Sequence, residues 1–208
     1  MQDAGHEKRM SDREKAKAER RDLIVNAAIE CFIRNGIHQT GIREIAEQAK
    51  VSLGNLYNHF SGKGELIAEI AVLDGEGLER FAMALDNSEN PAVAVSEFVD
   101  EYLDYISQTE NAVLTIDIMA EAIRNPTVAK HFEANCRKLT DALSATIKRG
   151  ISTGDMREQI NIDETVKLLL DAVEGLGLRS GLSQVKPSEN ARKALQEMIF
   201  RMLSSSPE

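Results

Sequence analysis

Ile42, Ile45, Ala46 and Ala49 recur at i, i+3, i+4 and i+7, the stripe of a helix laid on a core, and a new helix start follows almost at once at Ser52. That spacing leaves Lys50-Val51 as a tight turn between two short helices. Ser52 is a good N-cap residue, because its hydroxyl can accept from a free amide of the first turn. In the segment it opens, Leu56 and Phe60 face inward, leaving Gly54, Asn55, Tyr57, Asn58 and His59 facing out. Two helices joined in this way form a helix-turn-helix, whose second helix fits the width of the DNA major groove.

The surrounding residues carry a resemblance. Ala27-Ala28, Phe32, Gly36, Thr40, Ile45-Ala46, Lys63 and Leu66 frame the block Val51-Ser52-x-Gly54-x-Leu56-Tyr57-x-His59-Phe60. The run Ile24 to Ala71, about a quarter of the chain, resembles the DNA-binding domain of the TetR family of transcriptional repressors. The resemblance implies an all-α chain of about nine helices: an N-terminal three-helix DNA-binding head and a larger C-terminal helical body for ligand binding and dimerisation. It also implies a regulator without a cofactor, most often a repressor, that leaves its operator when a small-molecule inducer fills the body. Three departures from the family's common pattern stand out. Lys50 replaces a turn glycine and calls for φ > 0 or an adjusted turn. Leu53 replaces a frequent basic residue, and Gly62 and Gly64 soften the start of the next helix by about 1 kcal/mol each relative to alanine.

Charge supports contact with phosphates at one end only. The chain has a net charge of −9, but residues 1–63 hold 11 Lys/Arg against 9 Asp/Glu, while the remainder holds 14 against 25. No stretch approaches the roughly 18 apolar residues of a membrane span, and the amino terminus lacks a signal-peptide pattern, so a soluble cytoplasmic protein is expected. Cys31 and Cys136 sit singly, and the four histidines show no ligand spacing, so neither a disulfide nor a metal site is indicated. An enzyme would need a nucleophile–base pair, a metal cluster or a phosphate loop, and the glycines form neither G-x-G-x-x-G nor G-x-x-x-x-G-K. A transcriptional activator, or a ligand-independent DNA binder of the same fold, stays open beside the repressor.

Along the chain nearly every segment has a helical period. Residues 1–17 are expected as a disordered or extended basic start, 18–78 as the head and 79–208 as the body, with 204–208 a loose tail. The first helix, roughly 11–35, packs through Leu23, Ile24, Ala27, Ala28, Cys31 and Phe32, and Gly36 ends it. Thr40 is expected to cap the second helix. A fourth helix runs from about Gly62 towards Leu85, with Gly75 and Gly77 as weak points. Pro91 opens a fifth, and Asn125-Pro126 caps and opens the seventh. The eighth, about 162–180, is apolar on more than one side and the ninth carries a broad stripe, which suggests a subunit interface. Val166, Leu169, Ala172, Val173, Leu176, Leu195, Met198, Ile199 and Met202 are its candidates, and the resemblance implies the same homodimer.

A dimer sets two recognition helices roughly 34–36 Å apart, so the partner should be double-stranded DNA carrying an inverted-repeat operator. Thr40 is a candidate phosphate contact through its hydroxyl and the adjacent amides. The resemblance gives Tyr57, His59 and Lys63 a grip on the backbone, which leaves Arg43, Ser52, Leu53, Gly54, Asn55 and Asn58 for base edges. For the inducer, Phe98, Tyr102 and Tyr105 fall at i, i+4 and i+7, with Phe81, Met83, Met119, Ile123, His131, Phe132 and Asn135 on neighbouring elements. A carboxylate of Asp117 or Glu174 turned unpaired into that cavity would favour a cationic ligand.

Overall fold

The computed structural model describes residues 12–204, and these form nine helices and no strand. They divide into two compact units, Met1–Leu66 and Ile67–Glu208. The expected boundary at residue 78 falls inside helix α4 (Lys63–Asn87), whose Leu78 already belongs to the core of the second unit.

In the first unit, α1 (Asp12–Asn35), α2 (Ile42–Gln48) and α3 (Leu53–Tyr57) close on Ile24, Phe32, Ile45, Leu56 and Phe60, all at most 1 % exposed. Residues 12–17 are helical, in keeping with the expected helix over 11–35 and not with a disordered or extended start to residue 17; residues 1–11 lie outside the described part. Leu23 is 52 % exposed and Val25 takes the inner position, so the expected stripe is corrected there: the core reaches the other flank of Ile24. Gly36 ends α1 at φ +78°, its N–H donating to the Phe32 carbonyl at 2.7 Å. The expected Thr40 cap is not formed. Gly41 is the N-cap of α2, and Thr40, 2 % exposed, turns its hydroxyl inward to the carbonyls of Gly36 at 2.9 Å and Cys31 at 3.2 Å.

α2 ends in a Schellman motif. The Lys50 N–H donates to the Glu47 carbonyl at 3.0 Å and the Val51 N–H to the Ala46 carbonyl at 2.9 Å. Lys50 takes φ +55°, the left-handed turn that a glycine would adopt without strain, at a cost of about 1 kcal/mol. The turn therefore keeps its geometry although the residue departs from the family pattern.

In the second unit, α5 (Pro91–Ile106), α6 (Thr109–Ala122), α7 (Pro126–Thr153) and α8 (Ile162–Ser183) pack with α9 (Glu189–Leu203) around one apolar core. Asn90 and Asn125 cap α5 and α7 through their side-chain oxygens, each followed by a proline at the first helical position. α4 runs unbroken through Gly75 and Gly77. Gly75 answers to close packing: a Cβ there would meet the Asn135 Oδ1 at 2.1 Å.

Five of the expected interface residues belong to this internal core. Val166, Leu169, Val173, Leu195 and Ile199 are buried within the chain itself, because the inner stripes of α8 and α9 close the bundle. The apolar residues those helices leave outward are Leu168, Leu182, Met198 and Phe200, with Met202 partly covered. Ala172 and Leu176 are half-buried at the edge of the core. Ser204 ends the described chain.

Candidate DNA interface and effector cleft

In the first unit, α3 is fixed from below and left free above. The Ser52 hydroxyl accepts from the Asn55 N–H at 3.1 Å, and Leu56 and Phe60 are buried, so the five-residue helix has one register on its core. Gly54, Tyr57, Asn58, the cap Ser52 and Arg43 on α2 are exposed, and Leu53 is half so. Asn55 and His59 are partly covered by α1, where Ala16, Lys17 and Arg20 meet Asn55, Asn58 and His59 around a shallow notch. The Asn55 Oδ1 and the His59 Nδ1 are buried there without a hydrogen-bond partner among the described residues. Desolvation, then the positive charges of Lys17, Arg21 and Arg20, lower the His59 pKa and keep the ring neutral. Arg21 locks the base of the helix, donating to the His59 carbonyl at 2.9 Å and lying over the Phe60 ring at 4.1 Å.

Two expected phosphate contacts have other work in this structure. Lys63 donates its ammonium protons to the carbonyls of Ile37 at 2.7 Å, Thr40 at 3.2 Å and His38 at 3.4 Å, clamping the loop before α2. Thr40, with its side chain inside, offers a phosphate only the main chain around it. The start of α4, softened in sequence by Gly62 and Gly64, is capped from outside: Glu65 accepts from both the N–H and the hydroxyl of Ser61, at 2.7 and 2.9 Å.

The second unit contains a narrow cleft bounded by α4, α5, α6, α7 and α8, with about 20 Å³ of free space between its side chains. Tyr102, Tyr105, Phe132 and Asn135 line it, as expected. Phe81 and Phe98 are instead in the core, in ring contact with Tyr102 at 5.4 and 5.3 Å. Met83, Met119 and Ile123 are corrected to the surface, Ile123 at 83 % exposure, because they lie on the outward faces of α4 and α6. His131 is half-buried and does not line the cleft.

The cleft's polar residues were the harder part to foresee. The Tyr102 hydroxyl donates to the Glu174 Oε1 at 2.8 Å, and the Tyr105 hydroxyl to the Asp74 Oδ1 at 3.3 Å. Asn135 donates to the Ala71 carbonyl at 2.8 Å and to the Asp74 Oδ2 at 3.4 Å. Burial pushes both carboxyls above their ordinary range, with the tyrosine bonds pulling the other way. The Tyr105 hydroxyl is pushed up to about 12, first by burial and then by Asp74, so it stays a proton donor. Asp74 had a readable signal: it falls in phase with Ile67, Ile70, Ala71, Leu78 and Phe81 on the buried stripe of α4.

Comparison with known proteins follows this division. Residues 24–70 match the tetR family of bacterial regulatory proteins, and residues 91–204 match the C-terminal domain of BetI-type transcriptional repressors. The HTH-type transcriptional regulator UidR of Escherichia coli K12 is 32 % identical over 197 residues, covering 89 % of this chain and 94 % of that one. Among solved structures, Salmonella enterica GusR superposes with a TM-score of 0.74 at 24 % identity, over 89 % of this chain and 95 % of its own. A transcriptional regulator from Saccharomonospora viridis, solved in complex with choline, gives 0.78 at 19 % identity, over 90 % and 99 %. The helix-turn-helix head, the all-helical body and these matches along nearly the whole length agree, and the chain belongs to the TetR family of transcriptional regulators.

Proposed function

We propose that the protein is a dimeric repressor that reads an inverted-repeat operator with α3 and leaves it when a small molecule enters the body cleft. The observation that carries the reading is α3 itself, pinned by Leu56 and Phe60 with Gly54, Tyr57 and Asn58 exposed above them. Asn58 and Asn55 suit bidentate pairing with adenine, Leu53 a thymine methyl, and Tyr57 a phosphate. Lys17 and Arg20 of α1 add positive charge beside Asn58, a contribution that residues 40–63 alone do not suggest. The complex of the Saccharomonospora viridis neighbour with choline supports a small-molecule role for the body.

The dimer contact belongs to the outward faces of α8 and α9, through Leu168, Leu182, Met198 and Met202, with Ala172 and Leu176 at their margin. Activation instead of repression would use the same DNA contacts, and transcription assays on the bound promoter separate the two.

The test is selection of duplexes from a random pool by the purified chain, followed by sedimentation of the complex. An enriched inverted repeat carrying two chains is expected. Asn58→Ala should relax the preference at one base pair per half-site, with a loss of about 1–3 kcal/mol on the original sequence. Enrichment of no sequence, or an unchanged profile for Asn58→Ala, contradicts the assignment.

A further inference from the structure

The cleft holds two carboxylates without a counter-charge. Asp74 enters from α4 and Glu174 from α8, and their hydrogen-bond donors are the neutral groups of Tyr105, Asn135 and Tyr102. Among the described residues neither carboxylate forms an ion pair. The basic side chains of this region are engaged elsewhere: Lys138 bonds the Gly75 carbonyl and Glu79, and the Arg80 guanidinium lies over the rings of Phe81 and Tyr105. Buried carboxylates are normally paired, and apolar residues of the same volume would stabilise the bundle at least as well. Two unpaired ones facing a single cleft are therefore a recognition feature.

We propose that the cleft binds an organic cation, its ammonium group held by Asp74 and Glu174 and its alkyl part by Tyr102, Tyr105 and Phe132. This rests on the reading of the cleft as the effector site. The carboxylates keep free lone pairs for N–H donors, and the tyrosine and phenylalanine rings attract positive charge through their faces. As folded, the cleft has room for little more than a water between its side chains, which suits an ammonium head better than a bulky ring system.

The chain supplies its own probe. It has no tryptophan and three tyrosines, so in a Tyr57→Phe variant the remaining tyrosine emission comes from Tyr102 and Tyr105 at the cleft. The full-length variant is titrated to millimolar concentration with n-pentylammonium and with tetramethylammonium. Their neutral counterparts of like size, n-pentanol and tert-butanol, are run in parallel. At least one cation should give a saturable change, with its neutral counterpart binding at least about tenfold more weakly. Glu174→Gln and Asp74→Asn should each weaken cation binding about 10- to 150-fold, while the free variants melt no lower than the parent. Preference for n-pentylammonium would mark N–H donation to the carboxylates, and preference for tetramethylammonium would mark charge against the rings. Neutral compounds matching the cations, no cation binding, or both variants keeping parental affinity would overturn the proposal. Neutral or anionic compounds that alone release DNA would overturn it and leave the effector reading standing. Cation binding that leaves DNA affinity unchanged would uphold the cation site and remove its effector role.

Discussion

Gly54 separates what the fold needs from what the function needs. It is the second residue of α3, exposed and without a positive φ, and a Cβ built there meets no atom within 4 Å. Nothing inside the chain requires glycine at this place. Gly54→Ala should therefore stabilise the free protein, by up to about 1 kcal/mol from helix propensity. On DNA the sign reverses, because the added methyl stands on the face that approaches the groove floor. An intruding methylene in a well-packed contact costs about 1–3 kcal/mol, a loss of about 5- to 150-fold in operator affinity. Thermal unfolding of the free chain and anisotropy titration of the selected operator read the two effects separately. An alanine variant that binds as tightly as the parent refutes the close approach of α3. A variant that melts lower refutes the claim that the fold leaves this position open.

Lys63→Met should cost about 1–3 kcal/mol of stability by releasing three loop carbonyls, yet leave the salt dependence of DNA binding unchanged. A salt slope lowered by about 1 would show that Lys63 meets a phosphate after all. The buried carboxyls predict a pH effect. Their folded pKa values are raised, so the stability they contribute is complete below the unfolded range of about 4 and is lost as pH rises through the folded values. The groups facing them are Tyr105 and Asn135 at Asp74, Tyr102 and Asp171 at Glu174, and each other. Replacing both by their amides should flatten that decline in urea titrations and leave the chain at least as stable at neutral pH; a retained decline assigns it to other groups. On α8, Leu168→Asp should dissociate the dimer in sedimentation without lowering the stability of the chain, whereas Leu169→Ala should cost about 2–5 kcal/mol. The opposite assignment of the two effects would place the interface on the inner stripe.

The head was legible because its residues answer to local rules. Ser52 caps α3, Gly36 ends α1 and Leu56 and Phe60 anchor the recognition helix, each readable from a period of 3.6 and a cap. The bonds of Thr40 and Lys63 to main-chain carbonyls of the loop between α1 and α2 were not legible, because no periodicity reports such partners. On α8 and α9 the apolar residues cover more than one side, and period alone does not say which stripe closes the chain's own core. Five interface candidates therefore proved internal. The cleft was half legible: aromatic spacing on α5 found Tyr102 and Tyr105, but on α4 only Phe81 and Met83 were read as pocket residues, not Asp74. Its phase with the apolar stripe of α4 was the available sign.

The role of α3 as the reading helix is open to footprinting of the purified chain on the DNA upstream of its own gene, at two salt concentrations. A protected inverted repeat whose affinity falls steeply with salt is expected, and its loss in Tyr57→Ala. Protection nowhere, or everywhere alike, with Tyr57→Ala keeping the parent's general affinity for DNA, would contradict the assignment of α3 as the reading helix.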